Sequence, residues 1–218
     1  MSSNEFLIGK PMSKAIKETE KTRAANNFAG EDCEACAYSI GTKPAVCLLA
    51  ECEFIEGKIR KLKVSNKDVI QSFAEELGFG RLTERVSDFV RMHPNRSPFV
   101  SCFHRENFIK QVRHHKDYSN RELAILYLIT SDEQIWSVMK KFVRDDGIQY
   151  HANTVQLKND SYTIWKVVED ILGFGDHISM TDMVNITVIG NDVFWTLMNA
   201  MAIIRYGVGT VGISKGGD

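Results

Sequence analysis

The side chains best able to do chemistry gather at a few places. Cys33-Glu34-Ala35-Cys36, followed by Cys47 and Cys52, has a C-x2-C and a C-x4-C pair, the spacing of four zinc ligands. A zinc knuckle needs a tight turn, and Glu34, Ala35, Ala37 and Tyr38 are not turn formers. The second pair lies within VCLLAECEF, which wants burial. The expectation is therefore small buried thiols, with no zinc and no cofactor assigned. Asp32 with Glu56-Gly57-Lys58 can be aligned with the acid…acid-x-lysine arrangement of metal-dependent nucleases, in which two carboxylates hold a divalent ion. Gly57 marks a hairpin tip there rather than a strand carrying a metal. Gly207-Val208-Gly209-Thr210-Val211-Gly212 matches G-x-G-x-x-G, but that fingerprint needs a strand before it and a helix after it. Here a helix precedes it and only ISKGGD follows, so the expectation is a flexible tail.

The stretch SCFHRENFIKQVRHHKDYSNRE, residues 101–122, is the most suggestive. On a helix Lys110, Arg113, His114 and Asp117 share one face, opposite Phe108, Ile109 and Val112. Flexible cations presented this way suit phosphate contacts. Arg105, Lys110, Arg113, His114, Lys116 and Arg121 are the candidate partner-binding residues. His114 and His115 are both metal-binding types, but neighbouring side chains on a helix diverge, so no metal is assigned to them.

Net charge is −1 over 218 residues, and this total conceals an asymmetry. Residues 91–121 carry seven basic side chains (Arg91, Arg96, Arg105, Lys110, Arg113, Lys116, Arg121) against Glu106 and Asp117. Residues 122–218 carry seven basic and 12 acidic ones. A basic belt thus precedes an acidic C-terminal half, which speaks to partners rather than to fold. Five cysteines and an N-terminus without an apolar leader-like run predict reduced thiols and a cytoplasmic protein. The longest apolar run, Val193 to Ile204, is interrupted by Thr196 and Asn199 and falls short of the roughly 20 residues of a membrane span.

The elements that must position these groups are mostly helices. A polar surface helix is expected over Ser13–Phe28, and a short one from Asp32 to Ile40. After Pro44 the chain to Val64 reads as a hairpin turning at Glu56-Gly57, or its first arm reads as a helix. Further helices are expected from Ser65 or Asn66, from Thr83 and from about Arg105 to His115. Ser119-Asn120-Arg121-Glu122 is a capping box, with Tyr118 positioned to staple onto Leu123. Thr130-Ser131-Asp132-Glu133 is the start signal of the next helix, Asp145-Asp146-Gly147 is a turn, and a helix runs from Asp160 or Ser161 to Leu172. The last, capped by Asn191, is apolar nearly all round and reads as the central buried helix 192–206. LGFG occurs at 77–80 and 172–175, each time where an amphipathic helix runs out. Both copies read as helix stops, with Phe79 and Phe174 folding back onto the last turn.

Residues 122–206 resemble an uncharacterised family of small proteins from phage and plasmid elements of Gram-positive bacteria. The similarity lies in Glu122–Ile129, Asp132–Trp136, Asp145–Ile148 and Phe194–Tyr206. It implies an accessory gene of a mobile element and carries over no catalytic residues. The expected fold is mainly α-helical, with a small hairpin near 45–64. The expected organisation is an N-terminal region over 1–100 and a helical domain over 101–218. The expected function is a non-enzymatic binding protein that inhibits a host nucleic-acid-targeting defence complex in the manner of an anti-CRISPR. Its partner would be a host defence protein or ribonucleoprotein met through the basic face, with no membrane role. The alternatives are a metal-dependent nuclease acting on DNA or guide RNA, and a DNA-binding regulator built on the 105–143 helices.

Overall fold

The computed structural model describes residues 65–149, 157 and 159–213, together with strand dipeptides at 23–24, 39–40 and 46–47. The chain is mainly α-helical. The helices are α1 (Asn66–Glu76), α2 (Gly80–Met92), α3 (Cys102–His114), α4 (Asn120–Thr130), α5 (Glu133–Met139), α6 (Asn159–Leu172), α7 (Met180–Val184) and α8 (Asn191–Tyr206). Strands β1 (Arg23–Ala24), β2 (Ser39–Ile40) and β3 (Val46–Cys47) pair antiparallel in the order β1-β3-β2. Strands β4 (Val143–Arg144) and β5 (Gly147–Ile148) form a hairpin with Arg144 opposite Gly147. Among the described residues no helix is long and apolar enough to cross a membrane.

Helix α8 is the centre. Phe194, Trp195, Leu197, Met198, Ala202 and Ile203 are fully buried, and the longest packing contact of α8 is with the apolar run of α4. Helices α3, α5 and α6 cover α4, α1 and α6 flank α8, and α2 packs on α1 and carries α7. Each buried aliphatic or aromatic side chain contributes about 1.5–3 kcal/mol, and these residues form one contiguous core from Val69 to Val211.

Several polar groups drawn into this core tie distant segments together. Asn66 donates to Asn199 at 2.7 Å and to the Thr210 carbonyl at 2.9 Å, tying the start of α1 to α8 and to the chain beyond it. Arg205 and Tyr206 both donate to the carboxylate of Glu76 at the end of α1. Trp195 and Tyr127 hold the carbonyls of Ser97 and Pro98, fastening the loop ahead of α3.

Several expectations need correction. Arg23–Ala24 and Ser39–Ile40 lie in spans expected to be helical and are strands; pairing with β3 overrides a weak helical pattern. Of the expected 45–64 hairpin, only Val46–Cys47 is described. Helix α2 begins at Gly80, not Thr83, whose hydroxyl instead donates to the Ala74 carbonyl at 3.2 Å and caps the end of α1. The expected flexible tail is firm as far as Ile213. Val208, Thr210 and Val211 are buried in a turn of 3-10 helix folded back onto the core. Helix α7 was not expected, although Ser179 and Asp182 form a capping box around its first turn.

Candidate functional site

Helix α3 is capped by Ser101, whose hydroxyl accepts from the His104 N–H, and its last helical residue is His114. His115 is the first residue outside, with φ −106° and ψ 68°. This departure from helical backbone overturns the expectation that the two imidazoles diverge. Their ring centroids are 4.6 Å apart, with planes at 83°. The β4–β5 hairpin lies against this end of α3, and its two-residue loop, Asp145-Asp146, presents Asp145 to both rings. One carboxylate oxygen of Asp145 is 3.4 Å from His115 Nδ1 and 3.7 Å from His114 Nε2.

Two contacts hold the hairpin there. Tyr118 stacks on the His115 ring at 4.6 Å and 19°, and its hydroxyl donates to the Arg144 carbonyl. Burial, with Glu122 adding, pushes the Tyr118 phenol up to about 12, so it stays a donor. Gly147 takes φ +131°, and a Cβ there would lie 3.0 Å from Glu122 Oε1. The hairpin therefore rests on the capping box of α4, in which Glu122 accepts from both Ser119 N and Ser119 Oγ at 2.8 Å.

Between α3 and the hairpin is an open cleft of about 630 Å³, lined by Lys110, Gln111, Arg113, His114, His115, Val143, Arg144 and Asp145. The His115 side chain is only 4% exposed, and its Nδ1 has no hydrogen-bond partner. Burial first, and the neighbouring His114 second, hold the His115 pKa below the usual histidine range, against an upward pull from Asp145.

Of the six basic residues expected to bind a partner, three meet at this cleft: Lys110, Arg113 and His114. Arg105 is exposed further back along α3 and Lys116 is exposed in the turn after it. Arg121 is half-buried and donates to the Ile171 carbonyl at the end of α6, a cation placed on the negative end of a helix. Reading along the sequence set His115 aside, took Asp145 only for a turn residue and did not single out Arg144, because the hairpin reaches α3 only through tertiary packing. Cys33, Cys36, Cys52, Asp32, Glu56 and Lys58 lie outside the described residues, and of Cys47 only its place in β3 is described. Cys102 is an exposed free thiol.

A second acid–histidine contact is structural. Fully buried Asp170 accepts from the N–H groups of His177 and Ile178 at 2.8 and 3.0 Å and lies 2.6 Å from His177 Nδ1. Both its oxygens are occupied in folding the loop after α6. No family model, curated protein or solved structure matches the chain.

Proposed function

We propose that this is a non-enzymatic binding protein that engages a phosphate-bearing partner through the basic end of α3. The carrying observation is that Lys110, Arg113 and Lys116 are exposed, and among the described residues they make no ion pair. Cations left unpaired beside an open cleft are available to phosphate oxygens and release counterions when they bind. The resemblance of residues 122–206 to a mobile-element family, together with the charge asymmetry, makes the proposed partner the ribonucleoprotein of a host nucleic-acid-targeting defence. The action proposed is anti-CRISPR-like inhibition.

The test is a titration of wild type and the triple variant Lys110→Glu/Arg113→Glu/Lys116→Glu against a guide-loaded effector complex and a bare single-stranded oligonucleotide. It is run at several ionic strengths. The variant is expected to bind more weakly, with the slope of log affinity against log salt reduced by about 2. Equal binding by both proteins at every salt concentration would remove the cleft from the interface.

A further inference from the structure

We infer that His114, His115 and Asp145 form a binding site for a late first-row divalent metal ion, with zinc the closest fit. Among the described residues they are a trio whose ligand atoms all lie within 4.8 Å of one another. Donors held about 2.0–2.1 Å from a tetrahedral ion are separated by about 3.3 Å. Two edges of the trio, at 3.4 and 3.7 Å, are already close to that length. Only the His114–His115 edge has to close. His114 is 69% exposed and can turn to close it without disturbing the core, and Asp145, 90% exposed, can follow.

The second observation is the state of His115 itself. Its ring is buried, locked by Tyr118 and aimed at Asp145, yet Nδ1 has no hydrogen bond. A buried polar atom without a partner costs about 1–3 kcal/mol, and a metal bond would satisfy it. Ligand type narrows the ion. Two imidazoles and one carboxylate suit zinc, cobalt or nickel, whereas calcium and magnesium need several oxygen donors. Lys110, Arg113 and Arg144 surround the site, so the ion must be held by coordination rather than by accumulated negative charge. Three protein ligands leave a fourth position, which opens on the cleft and suits water or an anionic oxygen.

This site stands apart from the polyanion reading, because metal uptake is measured with no partner present. Full-length protein, stripped with chelator, is titrated with zinc(II) by calorimetry and with cobalt(II) by absorption spectroscopy. The same titrations are made on His114→Ala, Asp145→Asn and the double variant. Wild type is expected to bind one equivalent at this site, with the ligand-field bands of tetrahedral cobalt and no sulfur-to-cobalt charge transfer from it. Each single variant should lose at least about 100-fold in affinity, since even indirect supporting residues are worth 10–100-fold. Both replaced side chains are exposed, so the variants remain folded, as circular dichroism will verify. An unchanged equivalent in the double variant, or cobalt signals that arise only from thiolates, would overturn the inference. So would the absence of any uptake by wild type.

Discussion

The two ends of α3 carry histidines and use them in opposite ways. At the N-terminal end His104 is fully buried, edge-on to Phe99 at 5.1 Å and to Tyr127 at 4.4 Å, and its Nδ1 accepts from the Val100 N–H at 3.3 Å. At the C-terminal end His114 is exposed, and His115 is buried but faces an exposed carboxylate. The difference comes from what covers each end. The first is closed by α4 and by the loop that Trp195 and Tyr127 fasten. The second is met by a hairpin whose loop remains in solvent. A histidine enclosed by aromatic rings is part of the core, whereas one paired with an exposed acid is open to a ligand.

That contrast can be broken by mutation. The largest effect is expected at the closed end. His104→Ala should destabilise the fold by about 3 kcal/mol in urea unfolding, as for other large-to-small changes in a packed core. Partner affinity measured below the unfolding transition should not change.

The same histidine should also govern acid stability. Burial lowers its pKa from 6.5 to about 3, against a smaller upward pull from the Tyr127 backbone. Below pH 6.5 the unfolded chain therefore takes up a proton that the folded protein does not. Stability is full above pH 6.5 and falls with decreasing pH until about 3, where the folded state is protonated as well. The expected slope from this group is about 1.4 kcal/mol per pH unit. Urea unfolding from pH 7 to pH 4 should show that contribution in wild type and lose it in His104→Gln.

At the open end the effects shrink. Tyr118→Phe removes the hydrogen bond to Arg144 and should cost about 1 kcal/mol. Amide exchange across 143–149 should quicken, and zinc affinity should fall although no ligand has changed. His114→Ala should alter stability by no more than about 0.5 kcal/mol, as is usual for an exposed side chain. A loss comparable with that of His104→Ala would mean that the two ends are equally structural.

How far such differences were legible is shown by the repeated LGFG. Both glycines have positive φ, 67° at Gly78 and 88° at Gly173, as the stop signal requires. The phenylalanines part company. Phe79 is buried at the corner between α1 and α2, while Phe174 is 60% exposed although its N–H bonds back to the Glu169 carbonyl at 2.9 Å. Four identical residues end a helix in the same way, but what lies above the next side chain depends on which helix arrives there.

The capping box at Ser119, helix starts near Ser65 and within Thr130–Glu133, the Asp145–Gly147 turn and the apolar character of α8 were readable. Each is decided by residues within about one helical turn, a range over which side chain and backbone meet whatever the rest of the chain does. The cap expected at Asn191 is not made: Asn191 is already helical and Gly190 precedes it with no side-chain hydrogen bond. The burial of Asn120 at the start of α4, the buried turn at 208–211 and the pairing of the strands at 23–24, 39–40 and 46–47 were not readable. Neither was the candidate site, because His115 and Asp145 stand thirty residues apart. They meet only because α4 returns the chain, Tyr118 holds the Arg144 carbonyl and Gly147 can sit on Glu122. Periodicity and capping determined that this chain is a set of helices with a basic belt. Packing between distant segments decided which of the belt's residues face one another, since that depends on contacts no local pattern encodes.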